Sequence, residues 1–200
     1  MQKQVLFWAF AALILTSTAV VAQTTLPEST VKPVMPKQVP MLEDMPAPLP
    51  GDMAQRQALV KQYVNPQRYD QLYQTVIDQY ISMAPNNNNA QSLKEDPAFR
   101  DQIFGLVQQR ASKTFTLDEL QAMQKFVDSP EGGSISRKVN ALGLQFRTKE
   151  LDEKERAALN AFSQSPQGKS IAGKSVSFAS GSLGEVMRSV LVRQAMSGGL

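Results

Sequence analysis

The sequence predicts an all-α protein, a compact helical bundle built around two helix–Ser-Pro-x-Gly–helix repeats and preceded by a proline-rich tether. Three observations predict it. Apolar residues recur at three- and four-residue steps from Gly51 onward, the period of one helix face. Alternating β-branched runs and Asn-Gly or Asp-Gly hairpin pairs are missing, so nothing argues for strands. A stretch after residue 114 repeats itself at an offset of 36 residues.

The chain opens with a segment unlike the rest. Met1-Gln2-Lys3 is a short positive start, residues 5–15 are unbroken apolar, and Val20 and Ala22 are small residues at a suitable spacing before Gln23. That is the pattern of an export signal cleaved after Ala22. The apolar run is well short of the ~20 residues of a membrane span. An uncleaved anchor across Thr16-Ser17-Thr18 is the alternative. Residues 1–22 are therefore expected to be a signal peptide, and the protein to be exported to the periplasm or the medium. Residues 23–50 hold seven of the twelve prolines. Proline fixes φ and lacks an N–H, so this segment is expected to be a disordered, semi-extended linker.

Residues 51–200 are expected to form a single α-helical domain. Asp52 is placed to cap a short helix reaching about Val64, and Pro66 to open a second one that ends before Pro85. On that second helix Tyr69, Leu72, Tyr73, Val76, Tyr80 and Met83 form one apolar face. Its tyrosines are read as core residues whose hydroxyls reach the rim. Asn86–Asn89 is read as an exposed loop. Asp96-Pro97 opens a third helix with Phe99, Ile103, Leu106, Val107 and Ala111 inward.

The two repeat units span about 115–148 and 151–196. Residues 115–138 lie over 151–174 with nine identities in 24 positions. These are Glu119/Glu155, Ala122/Ala158, Phe126/Phe162, Ser129/Ser165, Pro130/Pro166, Gly132/Gly168, Ser134/Ser170, Ile135/Ile171 and Lys138/Lys174. Thr116-x-x-Glu119 and Asp152-x-x-Glu155 have capping-box spacing, which starts a helix. Ser129-Pro130 and Ser165-Pro166 stop it and start the next. Serine caps a following helix, proline tolerates its first position, and proline also drives its predecessor out of the α region. Gly132 and Gly168, two residues on, let another backbone come close. After the first corner Ile135, Val139, Leu142 and Phe146 make a stripe. The same offsets after the second give Ile171, Ser175, Phe178 and Ser182, a smaller and more polar seam.

The pattern Phe115-x-x-x-Glu119-Leu120, then Phe126-x-x-Ser129-Pro130-x-Gly132, resembles the bacterial domain of unknown function 2059 family. Glu155, Phe162, Ser165, Pro166 and Gly168 carry part of the same pattern in the second unit. The resemblance covers residues 65–175 loosely and 115–138 well. It departs at Val127, where the family often has tyrosine. It implies an exported helical protein and assigns no activity.

Chemistry is narrowed by what the chain lacks. It has no cysteine and no histidine, which removes disulfides, thiolate nucleophiles, Cys/His zinc sites and the Ser-His-Asp triad. Its 21 basic and 18 acidic residues are dispersed, so no nucleic-acid partner is expected. Residues 168–175 fit G-x-x-x-x-G-K-[ST], yet a phosphate loop needs a preceding strand, and here a helix and a Ser-Pro corner precede it. No nucleotide is expected, and Lys169 and Lys174 are read as a modest basic edge. The carboxylates at 118–119 and 152–155 fall at helix starts, where capping explains them. Ser170 and Lys174 stand four apart, but a Ser-Lys hydrolase needs a buried lysine and an oxyanion hole. No catalytic residue, cofactor or metal is assigned. A last helix carries Leu183, Val186, Met187, Val190 and Leu191 beside Arg188 and Arg193, read as a core helix in preference to a membrane-surface one. The expected function is that of a non-enzymatic envelope protein acting through contacts with another envelope protein. The alternatives are a histidine-free hydrolase of cell wall or glycan and a membrane-surface binder.

Overall fold

A computed structural model describes Leu42, residues 52–83 and residues 90–197. The signal-like start, the rest of the tether, the four-asparagine loop, and the side chains of Tyr80, Met83 and Met187 lie outside the described residues.

The described residues form helices and turns, with no strand among them. In chain order the helices are α1 (Met53–Tyr63), α2 (Pro66–Met83), α3 (Ala90–Glu95), α4 (Pro97–Thr114), α5 (Leu117–Asp128), α6 (Pro130–Leu142), α7 (Glu153–Gln164) and α8 (Pro166–Ser197). Two short 3₁₀ turns, Gly143–Gln145 and Thr148–Glu150, join α6 to α7. One apolar cluster runs through the helices, including Tyr73, Phe99, Ile103, Phe115, Ile135 and Phe178. Burying side chains of this size contributes about 1.5–3 kcal/mol each.

Helix starts follow local chemistry. Asp96 sits extended before Pro97 and accepts from the Ala98 N–H, a side-chain cap on one of the N–H groups the helix cannot pair itself. Asn65, before Pro66, accepts from the Arg68 N–H at 3.1 Å. Asp52 departs from its expected role. Its backbone is in the α region and its side chain makes no cap. The carboxylate instead meets Arg56 Nη2 at 3.2 Å. A cap needs an extended residue whose side chain folds back, and Asp52 is already coiled.

Three apolar stripes differ in detail from their expected form. On α4, Phe99, Ile103, Val107 and Ala111 are buried, and Phe104 joins them while Leu106 is half-buried. On α6, Leu142 is 36% exposed whereas Phe146 is buried. The helix ends at Leu142, and Gly143 takes φ +50°, a left-handed turn that glycine allows at no steric cost. The chain thus leaves the helical phase and re-enters the core at Phe146. On α8 the buried row is Phe178, Ser182, Val186 and Val190, while Leu183 is half-buried and Leu191 is 57% exposed. Steps of four from Phe178 keep Val190 on that row and rotate Leu191 off it.

The tyrosine face of α2 is buried, but its hydroxyls do not all reach the rim. Tyr69 Oη lies 3.2 Å from Ser136 Oγ inside the protein. The Tyr73 hydroxyl is buried without a hydrogen-bond partner. Burial pushes both phenols up from their ordinary value.

Leu42 also departs from expectation. It lies within the segment expected to be a linker, yet it is buried against the helical body.

Candidate functional site

The two corners are built alike. Thr116 accepts from the Glu119 N–H, and the Glu119 carboxylate accepts from the Thr116 N–H at 2.7 Å. Asp152 and Glu155 do the same, at 2.9 and 2.8 Å. Thirteen residues after each cap the helix stops at a serine in extended conformation. Ser129 closes α5 and caps α6 through the Gly132 N–H, at 3.1 Å; Ser165 closes α7 and caps α8 through the Gly168 N–H, at 3.0 Å. Consecutive helices therefore share one residue, with no loop between them. The glycines are required by this economy. A Cβ on Gly132 would stand 1.8 Å from the Phe126 carbonyl oxygen, and one on Gly168 would stand 2.0 Å from that of Phe162. The backbone that comes close is the last turn of the preceding helix.

Between the units, equivalent residues exchange partners. Glu119 on α5 accepts from Ser170 Oγ at 2.5 Å and from Lys174 Nζ at 2.7 Å, both on α8. Glu155 on α7 accepts from Ser134 Oγ at 2.7 Å and from Lys138 Nζ at 2.6 Å, both on α6. Phe126 and Phe162 stack on one another, centroids 4.6 Å apart. Reciprocal contacts of this kind are those of a twofold interface, here within one chain. Seven of the nine identical positions are the glutamate, serine, lysine and phenylalanine of these contacts and the Ser-Pro-x-Gly of the corner. An eighth, Ile135/Ile171, is buried in both units.

Both carboxylates are almost fully buried. Burial alone would raise the Glu119 carboxyl, but hydrogen bonds from Lys174, Ser170 and the Thr116 N–H, with the Lys174 charge, hold it below its usual value. Glu155 follows the same balance, with burial opposed by Lys138, Ser134 and the Asp152 N–H. Lys174 is thus not part of an open basic edge; its ammonium donates to both Glu119 oxygens. Ser170 also donates to Glu119, so the serine and lysine four residues apart converge on a carboxylate and not on each other. Residues 168–175, which match the phosphate-loop pattern, lie inside α8.

Two charged residues in the core were not singled out by the sequence. Arg110 on α4 and Glu185 on α8 are buried, with Arg110 Nη1 3.9 Å from Glu185 Oε1. Arg110 lies across Gly181, where a Cβ would stand 1.6 Å from its Nη2. The available signal was phase. Arg110 falls three residues after Val107, and Glu185 falls three after Ser182, both on buried rows, with a glycine making room.

A groove of about 780 Å³ runs beside the first corner, lined among others by Arg68, Asp128, Ser129, Arg137 and Asn140. Arg68 lies over the Tyr63 ring at 5.2 Å, and Asn140 accepts from the Leu72 N–H. Among the described residues, no three acidic side chains gather as a metal site, and no helix is long and apolar enough to cross a membrane.

Fold and site together define an all-α protein in which two capped hairpins clasp each other through buried carboxylates. No family model matches the chain, and neither a curated protein nor a solved structure matches it.

Proposed function

We propose that this chain is an exported, non-enzymatic α-helical protein of the bacterial envelope that works through contacts with another envelope protein. The observation that carries the contact reading is the end of α8. Leu191, Val192 and Met196 are 57%, 48% and 71% exposed on its last two turns, beside the exposed Arg188. Apolar side chains grouped at a helix end are a common feature of protein contact surfaces. The non-enzymatic part is supported by the use already made of Glu119, Glu155, Ser170 and Lys174, each of which has a structural partner. Export is supported by the residue pattern of 1–22, and the resemblance of the corner motif to the domain of unknown function 2059 family agrees with it.

The test is photo-crosslinking in living cells. A benzophenone amino acid at Leu191 or Met196 should capture one recurrent envelope protein, and the same probe at the exposed Gln121 should not. The exported protein that carries the probe should itself begin at Gln23 by intact mass. A full-length mass in the exported fraction overturns the cleaved signal, and equal capture at all three positions overturns the contact surface. The same apolar end beside Arg188 also fits an anionic lipid surface. Crosslinks to lipid alone, with binding to phosphatidylglycerol vesicles, would favour that second reading.

A further inference from the structure

Leu42 is held by the helical body at three points. Its N–H donates to Glu185 Oε1 at 2.7 Å, its C=O accepts from Lys113 Nζ at 2.9 Å, and its side chain is buried, the residue being 5% exposed. The two polar partners come from different helices: Lys113 from the last turn of α4 and Glu185 from the middle of α8. Main-chain bonds of this kind supply affinity in peptide recognition, and a buried side chain supplies selectivity.

Glu185 is itself only 6% exposed. A carboxylate buried this far is costly unless it is paired and hydrogen-bonded. Arg110 Nη1 provides the opposite charge at 3.9 Å, and the Leu42 N–H provides a short hydrogen bond. Lys113 then needs an acceptor on the same incoming residue, which the Leu42 carbonyl supplies. The geometry fits a residue with a free N–H, so a proline could not replace Leu42 there. Pro40 and Pro46 flank it in the sequence, and prolines lower the entropy a segment loses when it is ordered.

We propose that Glu185 and Lys113 form a docking site for a leucine-anchored peptide segment. Its occupant is the chain's own Leu42, which bridges α4 and α8 in cis through Lys113 and Glu185. The site is separate from the α8 end and independent of export.

The test uses the full chain carrying Leu42→Asp, which removes the anchor, and a synthetic peptide of residues 37–47 titrated by calorimetry. The peptide should bind this variant, and should bind the unaltered chain at least about tenfold more weakly, because a tethered competitor acts at an effective concentration near a millimolar. A peptide with Leu42→Ala should not bind, and adding Glu185→Ala to the variant should abolish binding. Equal affinity for both chains, or no binding to the variant, overturns the proposal. A dimer of the unaltered chain that Leu42→Asp converts to monomer would show the Leu42 bridge exchanged between copies, and overturns occupancy in cis. Should Leu42→Asp fail to fold, hydrogen exchange of the unaltered chain decides. The Leu42 amide should exchange on the order of 100-fold more slowly than an unstructured amide. A Leu42 amide exchanging at the unstructured rate overturns the bridge.

Discussion

The Glu119 carboxylate accepts from the cap of its own helix and from a serine and a lysine of α8, so its removal strands three donors together. A buried pair broken on one side leaves an uncompensated charge. Because the Lys174 side chain is 34% exposed, water recovers part of the loss. Glu119→Ala should cost about 2–4 kcal/mol of unfolding free energy in urea. The same groups set an acid dependence. The folded Glu119 and Glu155 carboxyls lie below their ordinary value of 4.5. Their stabilisation is therefore complete above about pH 4.5 and is lost as pH falls through the folded values. Melting temperature should drop below that pH, and the drop should shrink in a Glu119→Gln, Glu155→Gln double variant; an unchanged acid limb would assign it to other groups. The glycines of the corners give a prediction of opposite sign to helix propensity. Alanine is favoured over glycine in a helix by about 1 kcal/mol, yet a Cβ at Gly132 or Gly168 meets a backbone carbonyl that cannot move alone. Gly132→Ala and Gly168→Ala should each lower stability, by about 1–3 kcal/mol; a melting temperature at or above the parent's would show that the helices can part. The glycine at each corner was legible in the sequence because it repeats. Arg110, Gly181 and Glu185 do not repeat, and a buried charge pair announces itself only when two helices are seen to meet.

At the scale of elements, each hairpin turns on a single serine that ends one helix and begins the next. Ser129→Ala removes the oxygen that receives the Gly132 N–H and should cost about 1 kcal/mol, measured by thermal melting beside Gln121→Ala as an exposed control. Phe126 and Phe162 meet at equivalent positions. Their double-mutant cycle to leucine should show a coupling of about 0.5–1.5 kcal/mol, and additive losses would remove the stack as a contact of its own. The capping boxes, the Ser-Pro corners and the inward row of α4 follow from local spacing, which is why the sequence carries them. Asp52 and Leu142 show where local spacing stops. Whether a residue caps depends on its backbone angles, and whether a stripe continues depends on where the helix ends. Gly143 ends α6 with a positive φ beside Thr75, and no hydrophobic pattern encodes that turn.

For the whole molecule, the all-α architecture was readable from the sequence. The repeat offset also marked which residues matter, since eight of the nine identities fall at a contact, a corner or the core. What the offset alone could not say is that the identical residues bind each other's partners across the units, in place of serving each unit separately. That follows only once α5 lies against α8 and α6 against α7. The same packing explains the smaller seam of α8: Ser175 and Ser182 are buried, and Gly181 admits the Arg110 side chain from α4. The central claim is that the Glu–Lys exchange clasps the hairpins. It is tested most directly by double-mutant cycles in urea, Glu119→Ala with Lys174→Ala and Glu155→Ala with Lys138→Ala, all read as unfolding free energies of the full chain. Each cycle should give a coupling of about 1–3 kcal/mol, whereas the crossed pairs Glu119 with Lys138 and Glu155 with Lys174 should add within about 0.5 kcal/mol. Couplings near zero in the first two cycles would contradict the clasp.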